Sequence, residues 1–470
     1  MPTILVKKED LESLIGKKVS SEEIESFLPW VKGEFKGYDE KSGEIKVELN
    51  DSNRPDLWCT EGIARQVRLK LGQKHSEYPF FQKKAGKNKY EIIVEGGVRE
   101  IRPFIAACGV SNFVMTAEAL AQFIQTQEKL ADVFGQKRKL LSIGIYHLDP
   151  VTFPLSYKTV SAESVRFVPL GFDRPMNLKE ILEEHPKGKA HRGIFKNGNN
   201  LPLFVDSKGV ILSFPPIINS REAGEVQAGN QNLMVEVTGT DLRLVALVLN
   251  ILAANLHDRG ATILPVKVSY PYKTDLGQSI TFPCRIESSL EVPLSEVQRL
   301  LGVPLKIAEV RSALSSYGHQ VMGNQKMVVV TPPPYRDDLI HPVDIIEDVA
   351  ISRGYDSFAP EMPREFTRGS LSPEEEFSDR LREYFVGFGF QEIISNILFS
   401  REELVEKMNL EAPEKPLVEV DNVMTAQYGI VRNHILPSLL RVESASGKAF
   451  YPHKIFEVGE VAEQDPAADI

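Results

Sequence analysis

PYRDDLIHPVDIIEDVAISRGYD, residues 334–356, is the stretch that decides how the rest of the chain is read. A proline-rich extended entry ends in Asp337 and Asp338. Pro342 is preset for a first helical position, and Gly354 can close the short helix it opens. Asp344, Glu347 and Asp348 fall at i, i+3 and i+4, so three carboxylates share one face, while Ile345 and Val349 lie on another that can meet a core. Carboxylates this close repel unless a cation or a basic partner neutralises them. Asp338 can reach the same point, and four hard oxygen donors suit magnesium or another hard cation. An acidic first turn also favours the helix dipole, and a solvated acidic face needs no metal, so the pattern alone leaves both readings open.

Outward from that helix, the chain has 470 residues, enough for about three or four domains with ample core. Its composition, 42% hydrophobic and 26% charged, is that of a soluble globular protein. No apolar run is long enough to span a membrane, and the start, MPTILVKKEDLESLIG, lacks the apolar core of a signal peptide. Cys59, Cys108 and Cys284 are too scattered for a disulfide framework or a zinc site, so a cytoplasmic location is expected. A net charge of −10 argues against nonspecific coating of nucleic acid. Basic residues nevertheless gather at Lys83, Lys84, Lys87 and Lys89, at Lys137, Arg138 and Lys139, and at Lys187, Lys189, Arg192 and Lys196. Such runs form a phosphate-binding surface only if folding merges them.

Four segments are expected: residues 1–85, 86–270, 271–356 and 357–470. The first mixes strands such as 44–49 with a helix carrying Ile63, Val67 and Leu71, capped by Gly72, and ends in the linker-like QKKAGKNK, residues 82–89. In the second, residues 117–134 read as a helix, 141–146 as a strand, and LPLFVDSKGVILSF as a hairpin turning at Asp206 to Gly209. Residues 234–237 form a strand that leads through Thr238-Gly239-Thr240 into an apolar helix, 241–256. The third segment holds two short helices, 295–301 and 307–317, each stopped by a glycine in a helix-turn-helix-like pair. The fourth opens with a capping box at Ser372 on a helix bearing Phe377, Leu381, Phe385 and Phe388. A multidomain α+β fold is the expectation.

The sequence contains no HExxH, GxSxG, P-loop or GxGxxG pattern. Any chemistry is therefore expected to position a water or a metal and to do without a covalent nucleophile. Polar residues collect at strand ends in the second segment: Ser213, then Asn219, Ser220 and Arg221, with Glu236 and Thr238 alternating on one side of their strand. They either line a small polar pocket or satisfy turns.

Residues 334–356 closely resemble the B5-domain signature of the phenylalanyl-tRNA synthetase β-subunit family. VELNDSNRPDLWCTEGIARQVR, residues 47–68, resembles the family's N-terminal B1 signature in its archaeal form. LPLFVDSKGVILSFPPIINSREAGEV and MVEVTGTDLRLV are similar to its B3/B4 editing domain. YGIVRNHILPSLLRVESASGKAFYPHKIFEVGEV is similar to its inactive class II synthetase-like antiparallel core. These matches occur in family order and cover nearly the whole chain, giving the segments above as B1-like, B3/B4, B5 and class II-like domains. The chain stops at Ile470, short of the family's usual core, so that last domain is expected to be incomplete.

The resemblance implies an α2β2 heterotetramer that charges phenylalanine tRNA. In it the α subunit uses ATP, and the β subunit supplies assembly, tRNA contacts and hydrolysis of mischarged tyrosine. It also implies that Asp338, Asp344, Glu347 and Asp348 hold a magnesium ion shared with the α subunit. For editing it points to Glu236, Thr238 and Ser213 around the tyrosine hydroxyl, to Asn219 near the ester or a water, and to Gln127 and Arg138 near the tRNA end. Two departures stand out: Ala131 follows QEKL where the family commonly has histidine, and Glu236 stands where archaeal relatives often carry aspartate. The alternatives are an assembly and tRNA-binding subunit with an inactive pocket, and a stand-alone metal-dependent hydrolase.

Overall fold

The computed structural model describes residues 2–49, 53–73, 77–81, 90–195, 200–363, 367–411 and 416–464. The chain divides into two compact units, residues 1–359 and 360–470. The expected linker at residues 82–89 lies outside the described residues, as do Lys83, Lys84, Lys87, Lys89 and Lys196.

In the first unit the N-terminal strand Thr3–Lys7 pairs antiparallel with Glu44–Glu48, which also pairs with Glu34–Asp39. The helix Thr60–Lys70 buries Ile63 and Val67, the apolar positions that its spacing placed on one face. A larger sheet follows, in the spatial order Ile218–Asn219, Ile211–Phe214, Asn200–Val205, Leu155–Ser161, Glu91–Val94, Thr262–Ser269, Phe104–Ser111, Leu233–Gly239, Leu141–His147. Leu233–Gly239 is buried along its whole length between two antiparallel partners, Glu236 and Thr238 included. The helix Leu242–Asp258, started by Asp241 accepting from the Leu244 amide, packs against this strand and is apolar on nearly every side. One hydrophobic core runs from Ile4 through this helix to Tyr335, so the first two segments share an interior.

The hairpin reads as expected: Asp206 Oδ1 accepts from the amides of Lys208 and Val210, and Gly209 takes the left-handed conformation. The long helical pattern at 117–134 splits. An α-helix occupies Ala117–Lys129, and Leu130–Phe134 is wound more loosely as a π-helix. The helices Leu294–Leu301 and Ile307–Ser315 pack with Pro342–Arg353 and a three-stranded sheet around a separate core that includes Ile345 and Val349.

In the second unit Ser372 accepts from the Glu375 amide at the start of the helix Pro373–Gly387. Among the described residues the strands form two-stranded pairs: Gln391–Glu392 with Ile455–Phe456 in parallel, and Leu398–Phe399 with Ile430–Val431 antiparallel. The expectation of an antiparallel core is corrected at the first pair. The architecture is α+β throughout.

Candidate functional site

The larger sheet curls so that strands near its two ends face each other. Asn219 Nδ2, beside one end, donates to the Ile145 carbonyl on the other at 3.1 Å, and Tyr146 Oη stands 2.8 Å from Ser213 Oγ. Between them lies a cavity of about 250 Å³. Glu236 reaches it from the strand next to Leu141–His147, where its Cα partner is Gly144.

Glu236 is fully enclosed, and burial raises its carboxyl to about 7. The Tyr146 hydroxyl and the positive charge of Arg102 oppose that rise without cancelling it. Tyr146 Oη is 2.7 Å from Glu236 Oε2. A phenol has one proton, so when Glu236 is ionised Tyr146 donates to it and Ser213 donates to Tyr146. Gly144 makes this approach possible: a Cβ there would sit 2.3 Å from Glu236 Oε2 and 2.4 Å from Tyr146 Oη.

The mouth is cationic. Arg138 Nη1 donates to the carbonyls of Pro216 and Ile217 at 3.1 and 3.0 Å, and Lys187 lines the same cavity. Burial and the neighbouring Arg138 charge push the Lys187 ammonium below its usual range, and they do the same to the His191 imidazole. Two of the basic runs thus merge at one opening. Arg138 ends three successive left-handed residues, Gln136, Lys137 and Arg138, with φ of 50°, 53° and 66°. Such a conformation costs roughly 1–2 kcal/mol per residue and persists only where its surroundings hold it. The amides of Lys137 and Arg138 donate to Asp132 and Ala131 carbonyls in the π-helical turn, at 2.8 and 2.9 Å.

Of the residues expected here, Ser213, Asn219, Glu236, Gln127 and Arg138 do line the cavity, and so does Ala131. Gln127 Nε2 donates to the Ile143 carbonyl at 2.6 Å. Thr238 does not line the cavity: its hydroxyl accepts from Arg102 Nε at 3.0 Å, sits 3.0 Å from Ser142 Oγ, and also helps to lower the Glu236 carboxyl. Sequence reading missed Tyr146, Gly144 and Arg102, and had Lys187 only as a member of a basic run. The alternation of Ser142, Gly144 and Tyr146 with leucine and isoleucine in the strand Leu141–His147 was the available signal.

The acidic helix is a different case. Arg336, itself buried, makes two bonds to Asp338 and one to Asp348 at 2.7 Å, and His319 Nε2 lies 2.7 Å from the same Asp348 oxygen. Arg336, His319 and Arg54 hold the Asp348 carboxyl far below the usual range despite its burial, and Arg336 and Arg54 hold Asp338 down likewise. Asp344 turns back to accept from the amides of Ile340 and His341, capping its own helix. Glu347 pairs with Lys32 at 2.6 Å. Among the described residues no three His, Cys, Asp or Glu side chains converge on a point that could hold an ion. In this arrangement each of the four carboxylates expected to hold magnesium is turned to a protein donor. Of the four, Glu347 ties residues 290–356 to the N-terminal module through Lys32, together with Tyr317 Oη donating to the Trp30 carbonyl and Gln66 to that of Ser316.

Comparison with known proteins accords with this geometry. Residues 290–355 match the tRNA synthetase B5 domain, and residues 359–469 match the phenylalanyl tRNA synthetase beta chain CLM domain. Those two matches define the chain as a subunit of an aminoacyl-tRNA synthetase. It is 41% identical over its full length to the phenylalanine–tRNA ligase beta subunit of Borrelia recurrentis, covering 83% of that protein. It is 40% identical to that of Borreliella burgdorferi strain ZS7, over 98% of this chain and 82% of the relative. A crystal structure of an N-terminal fragment of the Pyrococcus horikoshii phenylalanyl-tRNA synthetase beta subunit superposes with a TM-score of 0.70. It shares 36% identity and covers 75% of this chain and all of that fragment. The chain belongs to the phenylalanine–tRNA ligase beta-subunit family. Bacterial relatives and an archaeal structure both share its pattern, so the archaeal likeness does not fix its source.

Proposed function

We propose that this subunit clears tyrosine wrongly attached to phenylalanine tRNA, while an α-subunit partner uses ATP to charge that tRNA with phenylalanine. The observation that carries the editing reading is the enclosed cavity with Glu236 at its floor and Arg138 and Lys187 at its mouth. A tyrosyl side chain reaching the floor presents a hydroxyl to the carboxylate. Phenylalanine would bring no hydroxyl to that floor, and sites built to hydrogen-bond a hydroxyl reject the analogue lacking it by about 10⁴ to 10⁵. The cationic mouth suits the phosphates of a tRNA end. Ser213, Tyr146 and Glu236 form a proton-ordered chain that fixes the floor. Asn219, on the wall, is placed to orient an ester or a water. Water then attacks the held ester, with catalysis supplied by positioning.

Deacylation tests this. The purified chain should hydrolyse tyrosyl-tRNA for phenylalanine and spare the phenylalanyl form, and Glu236→Ala should abolish the preference. One observation favours the second reading, a pocket used for assembly and tRNA binding alone: Tyr146 already presents a phenol to Glu236. Absence of hydrolysis by the intact protein, with tRNA binding retained, would select that reading.

A further inference from the structure

Arg102 is buried completely and is not part of the cavity wall. Its five N–H groups meet five acceptors: Thr238 Oγ1 at 3.0 Å, the Thr238 carbonyl at 2.7 Å, Ser142 Oγ at 3.1 Å, and the carbonyls of Arg138 and Lys139 at 3.2 and 3.4 Å. All are oxygens of neutral groups; among the described residues no carboxylate is hydrogen-bonded to it. A guanidinium held this way is costly to bury and carries its charge uncancelled by direct contact. One of its bonds ends on Arg138, the last left-handed residue, and another on Lys139 just after it, so it braces the strained turn from that side.

We propose that Arg102 is a positioning residue for the cavity, holding the left-handed turn that aims Arg138 and placing a buried positive charge behind Glu236. This rests on the hydrolytic reading of the pocket for its kinetic consequences, although the geometry stands without it. Tyr146 and Tyr157 are the other titratable groups facing Glu236, and burial keeps both phenols protonated through neutral pH. Arg102 is thus the charge that assists Glu236 ionisation, and it opposes the effect of burial.

Two substitutions separate the roles. Arg102→Lys keeps a charge but cannot serve both the turn and the strand, so KM for tyrosyl-tRNA should rise about tenfold with kcat little changed. Combined with Arg138→Ala it should cost no more than Arg138→Ala alone, because the two act through one contact. Arg102→Gln removes the charge, and the Glu236 carboxyl, followed by ¹³C NMR in the whole chain, should titrate at higher pH. Additive losses in the double variant, or an unmoved Glu236 titration, overturn the proposal. The NMR readout decides even where wild-type protein hydrolyses nothing, a result that sinks the functional reading by itself. If the Arg102 variants do not fold, Thr238→Val removes one of the five bonds from outside the cavity. It should then raise KM about threefold in the same manner, and an unchanged KM overturns the proposal.

Discussion

Gly144→Ala is the sharpest single perturbation of the cavity. The position lies in a strand paired along its length, and its backbone is not in the left-handed region, so alanine is conformationally acceptable. On chain entropy alone the change should stabilise by about 0.4–1 kcal/mol. The opposing terms are larger. The added methyl would sit 2.3 Å from Glu236 Oε2 and 2.4 Å from Tyr146 Oη, about 1 Å inside ordinary contact. The backbone is fixed by its neighbour strand, so the carboxylate and the phenol must move apart. Overpacking of this kind costs about 1–3 kcal/mol, and the lost charge-assisted hydrogen bond about 1.5–3 kcal/mol more. Less the entropic gain, the net expectation is destabilisation of about 1.5–5.6 kcal/mol. A displacement near 1 Å at a reacting site also costs about 100-fold in rate. Denaturant unfolding followed by circular dichroism measures the first, and the rate of tyrosyl-tRNA deacylation the second. A variant as stable as the parent and equally active would refute both the packing argument and the assignment of Glu236 to the floor.

Three further outcomes follow from the same geometry. Glu236 has a folded value of about 7 against about 4.5 unfolded, so the folded state holds an extra proton between those limits and its stability falls as pH rises through that window. Glu236→Gln should therefore flatten the stability–pH curve between about pH 5 and 8, by up to about 3 kcal/mol; parallel curves for the two proteins would contradict it. Asp348→Ala leaves Arg336 and His319 buried without their shared acceptor and should cost about 3–5 kcal/mol in denaturant unfolding, with a loss below about 1 kcal/mol counting against a buried network. Because the carboxylates of the acidic helix already have protein partners, EDTA should leave the thermal unfolding of the chain unchanged; a drop that magnesium restores would reinstate the metal centre.

Local chemistry made much of the chain legible. Pro342 and Gly354 bound a helix that does run from Pro342 to Arg353, and Asp206 with Gly209 fixed the hairpin turn. Glycines placed the ends of the paired helices near 302 and 318, because these signals act over a few residues of backbone. The alternation of Glu236 and Thr238 correctly put both on one side of a strand. It could not say that Glu236 would line the cavity while Thr238 held Arg102 outside it.

The sequence by itself determined the order of helices and strands, the family resemblance, and the polar set from which a site had to be drawn. Only the tertiary structure decided which of those groups meet. Tyr146, Ser213 and Glu236 converge because a long sheet curls its ends together, and no local pattern encodes how far a sheet will curl. The carboxylates at i, i+3 and i+4 are equally suited to an ion, to solvent or to basic partners. Their fate was settled by Arg336, by His319 29 residues before Asp348, and by Lys32 315 residues before Glu347. Charge pairing at such separations depends on how domains pack, and spacing along one helix carries no record of it.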